Sequence, residues 1–421
     1  MISLFDLAAL LLTLSALFGW LNHRLVRLPH TIGLLVMGLA ASLLLVLLDL
    51  LFPSRHLYDQ VKLPLLQIDF TQVMMNGMLA FLLFAGALNL DMGALRDRAW
   101  PVAILALVGT VISTAIVGLA FFGAARALGY PMPLAWAFVF GALISPTDPV
   151  AVLSTLKNVK VPQALEVEMQ GEALFNDGVG IVLFTALVAF ASAAGGASTS
   201  MEGLLESVLR DAFGGLALGA LTGYVAYRAM RAIDDFAVEV LITLALVAGT
   251  YALAQKLGTS GPLAVVAAGL LIGERAPRYA MSERTRTYVS ALWTLIDEVL
   301  NSVLFLLIGL EVLVLSFEPS ALGLAAAAVP IVLAARLISV STPLVLFRWK
   351  KLSARNVPFL TWAGLRGGIS VALALALPES PAKPAILAAT YAVVLFTIVV
   401  QGSTLGIVAR WTVGQVSEVR R

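Results

Sequence analysis

The chain has 421 residues, of which 60% are hydrophobic and only 12% are charged. A soluble surface requires roughly a quarter charged residues, so this composition predicts a polytopic membrane protein surrounded by a lipid bilayer. The net charge of +2, without a long run of Lys or Arg, excludes a nucleic-acid partner. The absence of cysteine excludes disulfides and thiol catalysis.

Thirteen apolar segments are candidate membrane spans, since a helix needs about 20 apolar residues to cross a bilayer. In chain order they cover residues 4–21, 31–52, 70–90, 102–123, 134–156, 164–194, 212–230, 236–254, 262–273, 289–315, 321–347, 357–377 and 385–409. The ninth segment is short for a span, so its length alone does not decide whether it crosses.

Loop charge supports the ninth span, because Lys and Arg of short loops accumulate on the cytoplasmic side. With thirteen spans, nineteen basic residues fall in loops or ends on one side of the membrane, Arg96 and Arg98 among them, and six fall on the other. Removing the ninth span would move the four arginines of residues 275–286 to the poorer side. We therefore expect the N-terminus outside and the C-terminus in the cytoplasm.

Two spans carry helix breakers at mid-depth. In the fifth, two prolines bracket Thr147 and Asp148, so backbone groups near the bilayer centre lose their helical partners. In the twelfth, three glycines surround Arg366 in the run TWAGLRGGIS, although glycine is also typical of close helix packing. Spans five and twelve are seven spans apart, and an odd offset means that they cross the membrane in opposite directions. We expect an all-α fold of thirteen transmembrane helices, with two inverted six-helix repeats and crossed discontinuous helices 5 and 12.

Three carboxylates lie in the fifth and sixth spans, namely Asp148, Glu172 and Asp177. A charge near the bilayer centre costs about 2.5 to 3.5 kcal/mol on insertion scales, so ionisable groups there are expected to be functional. These three side chains are candidates for binding a cation or a proton.

Helix periodicity separates the roles within the sixth span. Glu172 and Asn176 are four residues apart and share a face, whereas Asp177 lies about 100° further around the helix. Glu172 is expected to form a buried ion pair, with Arg336 as the first choice of partner and Arg366 as the second. Asn176 can donate to the aspartate of the fifth span or to its broken backbone. Asp177 has no obvious partner in the sequence and is the candidate ion ligand.

Charge balance indicates what the site binds. Three carboxylates and two guanidiniums leave one negative charge, which a single Na+ or a single H+ would neutralise. Because burial favours the protonated form of a carboxyl group, Asp177 is able to exchange a proton for a metal ion. Asp297 and Glu298, inside the tenth span, are candidates for an access funnel, and a pairing with a neighbouring helix or a hydrated crevice explains them equally well.

Two other functions also use carboxylates in the membrane. An intramembrane aspartyl protease needs two aspartates, but the sequence has no GxGD run and proteolysis does not explain two broken helices. A channel would place carboxylates in a pore, and its flux would not depend on a counter-gradient of protons.

Five sequence features together resemble the monovalent cation/proton antiporters, in the NhaP-like sodium/proton exchanger branch. They are SPTDPV at 145–150, GEALFNDGVG at 171–180, FLLIGLE at 305–311, the helix of Arg336, and GLRGGIS at 364–370. The resemblance implies an elevator-like movement of a core against a scaffold that forms a homodimer. We place the core at approximately 100–195 and 321–410, and the scaffold at approximately 1–90 and 205–316.

The resemblance also implies that Asp177 carries the ion or proton and that Thr147 and Asp148 support the site. In many relatives a serine follows the glutamate of the sixth span, and here that position is Ala173. Water or a backbone oxygen is therefore expected to replace the hydroxyl.

A related electrogenic branch has two consecutive aspartates where this chain has Asn176 and Asp177. We therefore expect electroneutral exchange of one monovalent cation, Na+ before Li+ or K+, for one H+. We expect no enzymatic activity and no cofactor, and a location in a bacterial inner membrane.

Overall fold

The computed structural model describes residues 4–52, 73–156, 161–193, 201–313, 319–347 and 356–412. In this part of the chain the regular secondary structure is entirely helical. The described residues form seventeen α-helices and four short π-helical turns, at Asn22–Val26, Val73–Met78, Leu105–Gly109 and Thr397–Gln401. The α-helices are α1 (Leu4–Leu21), α2 (His30–Leu51), α3 (Leu79–Asn89), α4 (Met92–Ile104), α5 (Thr110–Ala127), α6 (Leu134–Ile144), α7 (Pro149–Leu156), α8 (Gln163–Ala193), α9 (Met201–Met230), α10 (Phe236–Leu257), α11 (Gly261–Tyr279), α12 (Glu283–Glu311), α13 (Pro319–Phe347), α14 (Val357–Trp362), α15 (Gly368–Leu375), α16 (Lys383–Phe396) and α17 (Gly402–Thr412).

Nine helical segments of the described chain are long and apolar enough to cross a bilayer. The all-α, multi-span character predicted from the sequence is therefore confirmed. The other predicted spans coincide with α3, with α9, with α11, and with the pair α14 and α15. The short ninth candidate is the 19-residue helix α11, whose last turns carry charged side chains.

Helix boundaries differ most from the prediction where a helix continues beyond its apolar part into charged residues. Helices α4 and α5 form one segment of 36 residues, Met92–Ala127, although the predicted span covers only 102–123. Asp91 begins this segment, because its Oδ1 accepts hydrogen bonds from the amides of Gly93 at 2.9 Å and Ala94 at 3.1 Å. Arg96 and Arg98, predicted in a loop, thus lie in its first turns.

Both predicted helix breaks are present. Residues 145–148 separate α6 from α7, and residues 363–367 separate α14 from α15. The breaks meet, since the amide of Asp148 donates to the carbonyl oxygen of Leu365 at 2.8 Å. One backbone donor and one backbone acceptor that lack helical partners therefore satisfy each other across the two breaks, as is required away from water.

The helices pack in two groups. In the first, α2 lies along α12, and α3, α9 and α10 lie along α11. The second contains α5 against α6 and α13, α8 against α4 and α6, and α13 against α16. Gly219 allows α9 to approach α11 closely, because a Cβ there would collide with the carbonyl of Ala264. The two breaks belong to the second group and face α3 and α12 of the first.

Candidate functional site

A cavity of about 250 Å³ lies beside the two helix breaks. Helices α3, α7, α8, α12 and α15 contribute to its wall, so the cavity lies between the two helix groups. Leucine and glycine form much of the lining, and the polar side chains facing it include Thr147, Asp148, Asp177, Asp297 and Asn301. Three carboxylates around one small cavity create a negative potential that attracts cations.

Asp177 lies near the middle of α8 and faces the cavity with 7% of its surface exposed. Among the described residues, no group donates a hydrogen bond to its carboxylate, and the charge that acts on it is that of Asp148. A carboxylate that is removed from water without donors is unfavourable. Binding a cation or a proton relieves that cost.

Asn176, the neighbour of Asp177, holds the break of the fifth predicted span. Its Oδ1 accepts a hydrogen bond from the amide of Thr147 at 3.3 Å, and its Nδ2 donates to Thr147 Oγ1 at 2.9 Å. The sequence predicted that Asn176 donates to Asp148 or to the broken backbone. In the structure it accepts a hydrogen bond from that backbone instead, and its own donor binds the hydroxyl of Thr147. The side chain of Asn176 thus gives the amide of Thr147 an acceptor in place of the helical partner that it lacks in the break.

Asp148 is fixed from both breaks. Its Oδ1 accepts a hydrogen bond from the amide of Val150 at 2.8 Å, which caps the start of α7. From the other break, Gly367 lies so close that a Cβ there would collide with the Asp148 carboxylate. Glycine is therefore required at position 367 by close approach.

Glu172 and Arg336 form a buried bidentate ion pair, with exposures of 2% and 7%. Arg336 Nη1 donates to Glu172 Oε1, and Nη2 donates to Oε2 at 3.0 Å. The same guanidinium donates from Nη2 and Nε to the carbonyl oxygen of Leu360 at 3.2 and 3.3 Å. Gly364 leaves room for it, because a Cβ there would lie 2.6 Å from Arg336 Nε. This pair joins α8, α13 and α14.

Arg366 contacts a different set of acceptors. Its Nη1 donates to the carbonyl oxygens of Ser145 and, at 2.8 Å, Pro146, while its amide donates to Thr397 Oγ1 at 3.1 Å. The guanidinium therefore lies at the C-terminal end of α6, where the helix dipole favours a positive charge. Its Nε and Nη2 are buried and have no hydrogen-bond partner in the described part of the chain.

The two funnel candidates of α12 point differently. Asp297 lines the cavity, and Asn301 donates to its Oδ1 at 3.0 Å and to its carbonyl oxygen at 2.8 Å. Glu298 is exposed and is not among the cavity-lining residues. A role of either residue in ion access stays a prediction.

The sequence did not reveal a second ion pair on α8, between a buried glutamate and a partly exposed arginine. Glu168 is 1% exposed and binds Arg98 of α4 at 2.9 Å. Glu168 lies four residues before Glu172, so both glutamates share the helix face that points to neighbouring helices. This spacing was the sequence signal for a second ion pair. Arg98 could not be recognised as the partner because it was predicted to lie in a loop.

The glycines of GEALFNDGVG allow α8 to contact its neighbours. A Cβ at Gly180 would collide with the ring of Pro146 in the break, and one at Gly178 would collide with Leu263 of α11. Ala173, also on this helix, is buried and offers no hydroxyl. The run thus combines close packing with two carboxylates.

Comparison with known proteins agrees with this architecture. Residues 12–411 match the family described as sodium/hydrogen exchanger, transmembrane. The Na(+)/H(+) antiporter NhaP of Pseudomonas aeruginosa is 41% identical over 411 residues, which cover 96% of each chain. The Na(+)/H(+) antiporter NhaH of Halobacillus dabanensis is 34% identical over 391 residues, or 91% of each chain.

A solved structure has the same fold. It is that of the sodium proton antiporter from Methanocaldococcus jannaschii at pH 8, with a TM-score of 0.75, 19% identity, and coverage of 98% of this chain and 99% of that one. At this identity the likeness concerns the fold alone. With the family match over residues 12–411, the chain belongs to the sodium/hydrogen exchanger family of multi-pass membrane transporters, which are not enzymes.

Proposed function

We propose that this chain is an antiporter that exchanges Na+ for H+, with Asp177 as the shared ion and proton site. The family and the names of the relatives support the reaction. The observation that carries the site assignment is the Asp177 carboxylate, which is buried, faces the cavity and lacks a donor among the described residues. Because one cation or one proton satisfies it, binding of either ion displaces the other.

The charges around the site support electroneutral exchange. Glu172 and Arg336 neutralise each other in their ion pair. Arg366, on the carbonyls next to Asp148, offsets one of the two carboxylates of Asp148 and Asp177. Among these five core side chains one negative charge remains, and a single Na+ or a single H+ neutralises it. Asp297 lies on the scaffold side of the cavity and is not part of this balance.

Oxygen atoms at the break supply the ligands for the transported cation. The carboxylates of Asp177 and Asp148 and the oxygens of Thr147 face the cavity, and carboxylate and hydroxyl oxygens suit hard cations. Asn176 holds Thr147 in place. Since Ala173 brings no hydroxyl, water or a backbone oxygen completes the coordination.

The finer architecture is part of this proposal. The chain crosses the membrane thirteen times, in two inverted six-helix repeats. The loop charge supports an N-terminus outside and a C-terminus inside. Part of the loop charge behind this orientation, at residues 55, 62, 157, 160, 348–355 and 420–421, lies outside the described residues. The chain forms a homodimer in a bacterial inner membrane.

Alternating access follows an elevator movement. The core, at approximately 100–195 and 321–410, carries both breaks and moves against the scaffold, at approximately 1–90 and 205–316. The packing of the helices in two groups supports this division. Asp297 on the scaffold faces the core carboxylates across the cavity and receives the cation as it enters.

Reconstitution tests the function. In proteoliposomes with an acidic interior, added Na+ is expected to dissipate the pH gradient, read with a pH-sensitive dye. A channel would instead pass Na+ without a counter-gradient of protons, and Na+ flux that is independent of proton movement would overturn the proposal.

The stoichiometry has a separate test. A valinomycin-set membrane potential contributes about 2.3 kcal/mol per charge per 100 mV, but it drives no net Na+ uptake if one Na+ exchanges for one H+. Liposomes with this potential and no pH gradient are therefore expected to accumulate no Na+ above protein-free vesicles. Accumulation that follows the potential, with proton leak controlled, would show that more than one proton moves per ion.

A further inference from the structure

A buried carboxylate outside the cavity lies in the first turn of α10. Glu239 is 0% exposed. Its Oε1 accepts a hydrogen bond from Thr285 Oγ1 of α12 at 3.4 Å, whereas its Oε2 is buried without a partner among the described residues. The charges that act on Glu239 are those of Asp234 and Asp235, which are also negative.

Hydroxyl groups connect this carboxylate to the surface of the protein. Ser282 precedes α12 and caps it, because its Oγ accepts a hydrogen bond from the amide of Thr285 at 3.4 Å. Ser282 Oγ also donates to Thr285 Oγ1 at 3.3 Å. The oxygens of Ser282, Thr285 and Glu239 therefore follow one another from a half-buried to a fully buried position.

The basic residue before Thr285 in the chain contacts aromatic rings. Arg284 lies beside Thr285 in the chain, but its guanidinium is 4.9 Å from the ring centroid of Phe236 and 5.9 Å from that of Tyr288. Such cation–π contacts hold the arginine over the aromatic surface. In the described part of the chain, no arginine or lysine forms an ion pair with Glu239.

Two helix N-termini lie beside Glu239. It lies at the N-terminal end of α10, and Thr285 lies at the N-terminal end of α12. Helix N-termini favour a negative charge, yet a carboxylate oxygen that is sealed from water without a partner is costly. A small cation in contact with that oxygen removes the cost.

We propose that Glu239, Thr285 and Ser282 form a binding site for a small monovalent cation, Na+ or Li+, separate from the transport cavity. Thr285 lies about 18 Å along α12 from Asp297, at 1.5 Å per residue, and no residue of this site lines the cavity. The bound cation joins the ends of α10 and α12. The site does not depend on transport, so it can exist whether or not the chain exchanges Na+ for H+.

Thermal unfolding of a purified variant tests the site. Asp148→Asn combined with Asp177→Asn removes both carboxylates that we assign to the transported ion. We expect NaCl, compared with choline chloride at equal ionic strength, to raise the melting temperature of this variant by about 2 to 5 °C with saturation. Adding Glu239→Gln is expected to abolish the rise.

Glu283→Gln is the matched control, since Glu283 is exposed and directly follows Ser282. It is expected to keep the Na+-dependent rise. A rise that persists with Glu239→Gln, or no saturable rise before that change, would overturn the site.

Glu239→Asp keeps the test decisive if Glu239→Gln folds poorly. The shorter side chain is expected to increase the Na+ concentration at half-maximal stabilisation at least about tenfold, equivalent to a loss of about 1.4 kcal/mol in binding. An unchanged half-maximal concentration would contradict the proposal.

Discussion

Helix α8 carries two acidic regions whose charges are satisfied in different ways. Near its start, Glu168 and Glu172 each bind an arginine from another helix. One turn after Glu172, Asn176 binds Thr147 in the break of the neighbouring span. The next residue, Asp177, leaves its carboxylate facing the cavity. The first region joins α8 to its neighbours, and the second is open to an ion.

Burial does not distinguish the two regions, because Glu172 is 2% exposed and Asp177 is 7% exposed. The two regions differ in the hydrogen-bond donors that reach their carboxylates. A bidentate guanidinium satisfies both oxygens of Glu172, so a cation would gain little there. Asp177 has no donor among the described residues. A missing donor, rather than a buried charge, is therefore the observation that supports the proposed ion site on this helix.

Removing the open carboxylate is the strongest test of this comparison. Asp177→Asn keeps the shape of the side chain but cannot titrate, so we expect exchange in proteoliposomes to fall to the level of protein-free vesicles. Asp148→Ala is expected to cause the same loss. Na+-induced dissipation of a pH gradient is the measurement, with the exposed Glu283→Gln as the active control. Full exchange by a correctly folded Asp177→Asn protein would refute the site.

Breaking the ion pair between Glu172 and Arg336 should lower the stability of the folded protein. Glu172→Gln leaves the Arg336 charge buried, which costs about 3 to 5 kcal/mol, and we expect a lower melting temperature of the purified protein. In a double-mutant cycle, Arg336→Gln should be non-additive with Glu172→Gln. Arg366→Gln is the comparison, because Arg366 binds carbonyl oxygens instead. Additive effects of Glu172→Gln and Arg336→Gln would show that the pair is energetically uncoupled.

A methyl group added next to Asp148 should displace this carboxylate in the cavity without removing a charge. The added methyl group of Gly367→Ala collides with this carboxylate, and overpacking costs about 1 to 3 kcal/mol. If that cost falls on the ion-bound state, exchange slows about 5- to 150-fold. Gly123→Ala is the matched control, since nothing lies within 4 Å of a Cβ there. Equal exchange rates in the two variants would show that Asp148 need not hold its position.

The sequence was sufficient for the helix breaks and for the candidate carboxylates. Prolines and glycines act locally, so the positions of both breaks could be predicted from residues 145–150 and 364–370. Spacing on one helix also separated Glu172 from Asp177.

Partners from distant segments could not be read in the same way. Arg336 and Arg366 were both possible partners for Glu172, because the sequence does not show that the break exposes carbonyl oxygens for one of them. Arg98 was assigned to a loop, since hydropathy falls where a helix extends beyond its apolar part. Its pair with Glu168 requires knowledge of how α4 and α8 pack.

The smallest expected effect concerns an exposed ion pair between the two helix groups. Arg96 of α4 binds Glu274 of α11, but the Arg96 side chain is 66% exposed. Solvent screening limits such pairs to about 1 kcal/mol or less, so Glu274→Gln is expected to change the exchange rate less than about fivefold. Any change should diminish at high salt, where charges are screened. Exchange assays at low and high ionic strength, with choline as the added cation, provide the measurement. A loss of stability as large as that of Glu172→Gln would mean that solvent does not weaken this contact, and that ion pairs outside α8 control the packing of the two groups.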